Sequence, residues 1–508
     1  MTSIPHVPPQ AGRREWIALI VPILAVTLLA IDGTVLYMAV PALTADLAPT
    51  ATQILWIGDI YSFVLAGLLV TMGNLADRIG RKRLLIIGSL AFGVASVIAA
   101  FAPSAEVLIA SRALLGIAGA TVMPSTLSII RNLFHDPIQR TRAIAIWSAG
   151  AMAGGAIGPL VGGALLEFFW WGSVFLINVP VIVLILVLGL WLLPESRNPN
   201  AGKIDLLSAL LSVLAIVPLV YAIKQAVGSG LGWPVLAGAL IGLGSAWLFV
   251  RRQRGLKTPM VDISLFRIPA FSGAVAANTL SIFAFLGVLF FFSQYLQLVR
   301  GYSPFWAGMA EMPATIASLA VVAVVGLALS KLGRGRAIAA GLFVGALGLA
   351  ALGVTEGLPH YLGIGLSLAV IGLGTGLAMT LSTDAVVAAA PPERAGAAAS
   401  ISETAYELGI ALGIAVLGSL QTALYRARLE IPEGTSPETA AAMQDSLASA
   451  AGRLGDSNEA LLAMAQHAFT YGMQVASFIA AALLVMAAVL AARLIPSDTT
   501  KEDTHAIH

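Results

Sequence analysis

Five acidic side chains fall inside long apolar stretches of this chain: Asp32, Asp59, Glu311, Glu403 and Glu407. A carboxylate deep in a bilayer costs about 2.5–3.5 kcal/mol on insertion scales, and it usually faces a bundle interior or a water-filled path. Glu403 and Glu407 are four residues apart, so they share one face of a helix. Burial disfavours the charged carboxylate, and a second acid nearby disfavours it further. Such a group holds a proton near neutral pH and releases it when a cation arrives. A site that takes a proton or a cation in turn carries out exchange. For Asp32 the competing reading is a simple hydrogen bond to a neighbouring helix. Arg112 also lies within an apolar stretch and needs a carboxylate or carbonyl partner; its alternative is to snorkel toward the nearer surface.

Aromatic and thioether side chains are candidates to complete a pocket for flat lipophilic cations: Trp56, Tyr61, Trp147, Phe175, Phe292, Tyr295, Tyr406, Met123 and Met312. A cation–π contact is worth about 0.5–2 kcal/mol. Most aromatics in membrane helices pack or face lipid, so only two or three of these should line a cavity. Trp170 and Trp171 read as interface anchors, and Asp384 as an interfacial residue near a helix end. The histidines, His135 and His467 among them, lack metal-ligand spacing. No phosphate-cradling G-x-x-x-x-G-K-[ST] loop occurs, and no nucleophile–base cluster points to an enzyme. The expectation is therefore no metal and no cofactor, with a proton gradient as the energy source.

The elements that must position these residues are membrane helices. The chain has 508 residues, 58% hydrophobic and 11% charged, where soluble domains average about 25% charged. It has no cysteine, which excludes disulfides and thiolate metal sites. No basic tract suggests nucleic-acid binding. The start, MTSIPHVPPQAGRREW, is polar, and the apolar run after it is too long for a signal-peptide core and has no A-x-A site; it reads as a retained first helix. A span needs about 20 mainly apolar residues. Fourteen candidates fall near 16–40, 53–72, 83–102, 106–130, 142–166, 170–193, 205–225, 232–250, 270–296, 305–329, 336–355, 360–384, 396–420 and 467–494. With the N-terminus inside, 22 of the 28 Lys and Arg residues fall on the cytoplasmic side, as positive charge in loops requires. Lys224, Arg300, Arg426, Arg428 and Arg453 read as outward. An even helix count returns the C-terminus to the cytoplasm. Residues 421–466 form an outward connection that is long for a compact fold. Within it, 436–455 has helical spacing, and it either folds over the outer mouth or is a solvated spacer.

The loop GNLADRIGRKR, 73–83, after helix two matches GLALSKLGRGR, 326–336, after helix ten, in its glycines and basic residues. Each follows the second helix of a six-helix block if helices seven and eight are an insertion. The expected organisation is a six-helix bundle over 1–198, a two-helix insertion with linker over 199–268, and a second six-helix bundle over 269–508. Parallel repeats of this kind typify transporters whose halves rock about a midplane site. Gly73 and Gly80 permit a tight turn. Asp77, set among Arg78, Arg81, Lys82 and Arg83, can form a breakable latch between halves; the arginines also enforce orientation. Gly154, Gly158 and Gly162 share one helix face, and small residues at that spacing let helices touch closely. Pro159 adds a kink. Gly409 and Gly413 on helix thirteen are the expected partner face.

These motifs resemble those of the major facilitator superfamily. GNLADRIGRKR looks like its loop 2–3 signature. GGAIGPLVGG, 154–163, with Gly154, Gly158, Pro159, Gly162 and Gly163, looks like the helix-five signature of its antiporters. ASRALLGIAGATVMP, 110–124, carries Arg112 where the helix-four motif has its arginine. AIDGTVLYMAVPAL, 30–43, WIGDIYSF, 56–63, and FWWGSVFLINVP, 169–180, are similar to the fourteen-helix drug:proton antiporters of the QacA/SmvA/LfrA branch. The resemblance covers essentially the whole chain. It implies an all-α membrane fold of fourteen helices, 6 + 2 + 6, in a multi-pass monomer of the cell membrane. It implies a proton-coupled multidrug efflux pump for lipophilic cations such as quaternary ammonium compounds and dyes. It also implies that the 73–83 loop controls the conformational switch, that the helix-five glycines form a tight interface between halves, and that Arg112 takes part in proton transfer. The alternative function is proton-coupled export of an amphiphilic metabolite or lipid.

Overall fold

A computed structural model describes residues 10–197, 205–256, 259, 261–391, 394–454 and 458–497. Lys203, Lys257 and Lys501, counted above among the cytoplasmic charges, lie outside the described residues. The described chain is helical and contains no strand. Its membrane helices are α1 Arg13–Leu47, α2 Ala51–Ile79, α3 Arg81–Ala100, α4 Ala105–Leu133, α5 Arg142–Phe168, α6 Ser173–Leu192, α7 Leu206–Ala226, α8 Trp233–Gly255, α9 Pro269–Val299, α10 Pro304–Leu332, α11 Arg334–Thr355, α12 Tyr361–Ala389, α13 Ala397–Arg428 and α14 Glu459–Leu494. Thirteen are single spans by length and apolarity. The tenth, α10, bends by 56° between Pro304–Val321 and Ala323–Leu332 and, taken as one span, makes fourteen.

Local chemistry sets the breaks between helices. α1 stops at Ala48, whose φ of 45° is left-handed. The Thr50 hydroxyl then accepts from the Gln53 amide and starts α2, satisfying an otherwise orphaned N-terminal donor. Ser104 and Asn458 cap α4 and α14 in the same way. Gly80 and Gly333 take φ of 115° and 73° at the α2–α3 and α10–α11 junctions, a region that L side chains avoid.

The sequence repeat is also a repeat in space. After Gly80, the Arg81 amide donates to the Ser196 carbonyl just beyond α6, at 2.9 Å. After Gly333, the Gly335 amide donates to the Pro496 carbonyl just beyond α14, at 3.2 Å. Glu195 accepts from the amides of Lys82 and Arg83 at 3.3 and 3.2 Å. At the matching place, the Ser497 hydroxyl accepts from the Arg336 amide at 3.0 Å. Helix packing repeats too: α1 on α5, α2 on α4 and α3 on α6 correspond to α9 on α13, α10 on α12 and α11 on α14. α7 and α8 pack on each other, and α7 also lies against α2 and α13.

Each set of six helices has an apolar core, and that of the last six also takes in Tyr37, Met38, Val40, Ile54 and Leu55 from α1 and α2. The two sets meet toward the side that carries the α1–α2 connection and residues 429–454, here called the loop side. Ser293 on α9 donates to the Tyr37 carbonyl of α1 at 2.9 Å, and Gln297 to that of Met38 at 3.1 Å. Gly418 on α13 abuts Leu55 on α2, and Gly308 on α10 abuts the Pro159 carbonyl on α5. The long connection folds over this side. Its helices Pro437–Asp445 and Leu447–Leu454 bury Met443, Leu447, Ala450 and Leu454, and an Asp445 oxygen accepts from the Ala51 amide that opens α2, at 3.1 Å. It is thus a packed cap, not a solvated spacer.

Candidate functional site

Asp32 lies fully buried at the centre of a five-helix network. Arg112 on α4 donates to one of its oxygens at 2.9 Å, and Asn178 on α6 donates to the other at 2.8 Å. Asn178 also donates to the Ser96 hydroxyl on α3 at 3.1 Å. The Arg112 Nε donates to the Ile57 carbonyl of α2 at 3.2 Å, and its guanidinium lies 4.7 Å from the Tyr61 ring centroid. Arg112 is 1% exposed, so it does not snorkel; it has the carboxylate and the carbonyl that a membrane-embedded cation needs. This network is confined to the first six helices.

Asp59 is equally buried but faces elsewhere. On α2, Ile57 and Tyr61 turn toward Arg112, whereas Trp56, Asp59 and Phe63 turn toward α7. Lys224 of α7 reaches Asp59 with its ammonium 2.8 and 2.7 Å from the two oxygens. The same ammonium lies 3.8 Å from the Trp56 ring centroid. Lys224 is 2% exposed, which corrects its expected place in an outward loop. The helix continues past it, and a buried cation is tolerated there because a buried acid meets it.

No described cation pairs with the other acids. Glu311 on α10 is 2% exposed, and no described donor reaches either carboxylate oxygen. Glu407 on α13 is 8% exposed; Ser62 of α2 donates to its carboxylate, and one oxygen has no described donor. Glu403 is half-buried one turn away on the same helix. Glu311 lies three residues beyond Gly308 and Glu407 seven before Ile414, both at contacts between the two sets of helices. Each acid is thus within about 10 Å of the loop-side seal, on its inner flank.

The motif glycines have a different use from the one expected. A Cβ on Gly154 would meet Thr27 and Ala30, on Gly158 Thr34, and on Gly162 Val35 and Met38. These residues seat α5 on α1, inside the first six helices. Gly409 and Gly413 likewise seat α13 on α9, against Thr279, Ile282 and Phe283. The two small-residue faces therefore do not meet. Gly163, one residue further round α5, makes the crossing contact, against Pro304 and Phe305 of α10.

The partners of the 73–83 loop lie in its own six helices, and among the described residues no ion pair joins it to the last six. Asp77 pairs with Arg81 at 2.8 Å. The Lys82 ammonium donates to the Leu190 and Leu193 carbonyls of α6 at 2.9 and 2.8 Å. A Cβ on Gly80 would run into the Glu195 carboxylate, and one on Gly73 would touch Pro124 of α4. Arg78 ends α2 and Arg83 lies in the first turn of α3. In the second copy Arg334 pairs with Asp384 at 2.9 Å.

A family model described as Major Facilitator Superfamily matches residues 23–414. The chain belongs to the major facilitator superfamily. Among its relatives, Multidrug efflux pump LfrA of Mycolicibacterium smegmatis is 46% identical over 479 residues, covering 94% of this chain and 95% of the relative. Methyl viologen resistance protein SmvA of Salmonella typhimurium is 38% identical over 485 residues, covering 94% and 97%. In fold, the chain is similar to the crystal structure of a bacterial homolog of the human lysosomal transporter Spinster, inward-facing and unoccupied, with TM-score 0.66, 19% identity and coverage of 94% and 98%. This major facilitator protein is a transporter rather than an enzyme, and its relatives are multidrug efflux pumps and drug-resistance proteins.

Several aromatics named from the sequence serve the facilitator scaffold itself. Tyr61 lies under Arg112 and Trp56 under Lys224. Phe292 and Tyr295 stack at 5.8 Å in the core of the last six helices, and Phe175 is fully buried in the core of the first six. Trp147, Tyr406, Met123 and Met312 stay half-buried. Trp170 is 47% exposed as an anchor should be, but Trp171 is 5% exposed and donates to Asp46 at 2.6 Å. No group of three or more potential metal ligands occurs among the described residues.

Two buried charges escape the sequence reading. Lys224 was detectable by charge balance: Asp32 and Asp59 are two acids in α1 and α2, and Arg112 can match only one. Glu356, just past the end of α11, is 3% exposed, and burial pushes its carboxyl up to about 8. Its sequence position at a helix end looks solvated, and only the packing of α14 over it, with Ser477 at 3.4 Å, removes the water.

Proposed function

We propose that the protein is a proton-coupled antiporter that exports lipophilic cationic drugs, quaternary ammonium compounds and dyes by alternating access. The observation that carries this is the pair of buried acids with no described cation partner, Glu311 and Glu407, beneath the loop-side seal. A buried carboxylate with no cation partner is stable only with a proton on it or a cation beside it. Either partner serves, and the two exclude each other, which couples their fluxes. Glu403 extends the acidic face of α13, and the half-buried Trp147, Tyr406, Met123 and Met312 supply apolar and π surface for a flat cation. Arg112 and Asp32 hold the first six helices in one arrangement around this site. The relative SmvA is described as conferring resistance to methyl viologen, an organic dication, which agrees with a substrate defined by charge.

The moving parts in this proposal are the bundles 1–198 and 269–508, with the insertion 199–268 between them. With both termini cytoplasmic, the loop-side seal faces outward. The proton gradient drives the return, its electrical part worth about 2.3 kcal/mol per charge per 100 mV. The test is ethidium transport in inverted vesicles with a pH gradient imposed or collapsed. Transport should follow the gradient in the wild type and lose that dependence in Glu407→Gln. Gradient-independent transport by the wild type would refute proton coupling.

A further inference from the structure

We propose that Lys224 is a built-in occupant of an organic-cation subsite formed by Asp59 and Trp56, and that it withdraws Asp59 from substrate binding. The subsite lies where α2, α7 and α13 meet, closed by Phe63, Val220, Ala411 and Ala415. It presents a carboxylate and an indole face to one point. The Lys224 ammonium occupies that point, 2.7 and 2.8 Å from the two Asp59 oxygens and 3.8 Å from the centre of Trp56. Carboxylate plus aromatic face is the recognition chemistry of an organic monocation. The pair has side-chain exposures of 1% and 0%, and removing one partner of so buried a pair leaves an uncompensated charge. Asp59 is therefore committed to a cation, while no described cation pairs with Glu311 or Glu407.

The occupant comes from α7, which has no counterpart in the six-plus-six packing repeat. The extra helix pair thus subtracts one acid from those that the bundles offer. Lys224 becomes a specificity determinant: it sets how much negative charge meets a cationic substrate. This inference rests on the reading that the substrates are lipophilic cations.

The test uses the full chain in lipid nanodiscs. Ethidium binding is read by fluorescence polarisation, and thermal midpoints are recorded with and without n-butylammonium. Lys224→Met should bind ethidium about tenfold more tightly, as expected for one added carboxylate and π contact. Adding Asp59→Asn should return the affinity to the wild-type value, and adding Trp56→Leu should remove part of the gain. Lys224→Ala should melt at a lower temperature, and millimolar n-butylammonium should restore the midpoint where n-butanol does not. If the Asp59→Asn, Lys224→Met double variant loses ethidium, Asp59 contacts substrate and the inference falls. It falls too if Lys224→Met gains nothing and n-butylammonium rescues nothing. A wild type that binds no ethidium defeats the substrate reading instead, and the n-butylammonium rescue then decides the subsite by itself.

Discussion

At the scale of single residues, the buried acids divide into those paired with a cation and those without one, and the two kinds respond oppositely to neutralisation. Asp32 has a donor on each oxygen, Arg112 and Asn178. Removing one partner of a buried ion pair costs about 3–5 kcal/mol. Arg112→Gln should therefore lower stability in detergent by about that amount, and the double variant Asp32→Asn, Arg112→Gln should recover most of it. Denaturation of the three proteins checks this; a loss below about 1 kcal/mol in Arg112→Gln would show that the pair is not desolvated. Glu311 is the reverse case. Its carboxylate meets no described donor, and a neutral amide is cheaper to bury than a bare charge. Glu311→Gln should leave the unfolding midpoint unchanged or raised while cutting ethidium efflux at least tenfold. Wild-type efflux from a folded Glu311→Gln protein would remove Glu311 from the exchange. The presence of all five acids inside helices is legible in the sequence. Which acids are satisfied is not, because the partners Asn178 and Lys224 lie on helices 146 and 165 positions away.

At the scale of elements, spacing told which residues share a face but not which neighbour that face meets. The glycines at 154, 158 and 162 do form one close-packing face, and it belongs to α1. The crossing contact falls to Gly163, where a Cβ would strike the α10 backbone at Pro304 and Phe305. Gly163→Ala should therefore loosen the α5–α10 contact and open the loop side while leaving the α1–α5 packing intact. The chain has no cysteine, so a single reporter thiol has no background. A cysteine replacing Leu55, 4% exposed at the loop-side seam, should react faster with an impermeant maleimide in the Gly163→Ala protein. An unchanged rate would mean that Gly163 does not set the seal. The repeated basic loops were readable as a repeat because both need glycine at the same turn. That each is tied to the chain just beyond its own sixth helix, through Glu195 or Ser497, needed the fold.

At the scale of the whole molecule, contacts between the two sets of helices gather at one side. Tyr37, Met38, Leu55, Pro159 and Gly163 from the first set, and Ser293, Gln297, Pro304, Gly308 and Gly418 from the second, make the seal, and the cap at 437–454 adds Asp445 to Ala51. The basic residues concentrate at the other side, so this seal should face away from the cytoplasm. A cysteine replacing Thr435 should label with impermeant maleimide in intact cells. One replacing Arg254 should label only in inverted vesicles, and the opposite pattern would invert the molecule.

The amino-acid sequence by itself determined the class, the fourteen spans, the two-fold repeat and the buried charge other than Lys224 and Glu356. These follow from local quantities: apolar run length, helical spacing and the cost of a charge in lipid. Only the tertiary structure decided that Asp32 is locked to Arg112, that Asp59 is claimed by Lys224 of the inserted helix, and that Glu311 and Glu407 are left without a described cation partner. Spacing sets the depth and face of each side chain on its own helix, whereas its partner depends on how fourteen helices are rotated against one another. That rotation is set by the summed packing of every interface, which no single stretch of sequence contains.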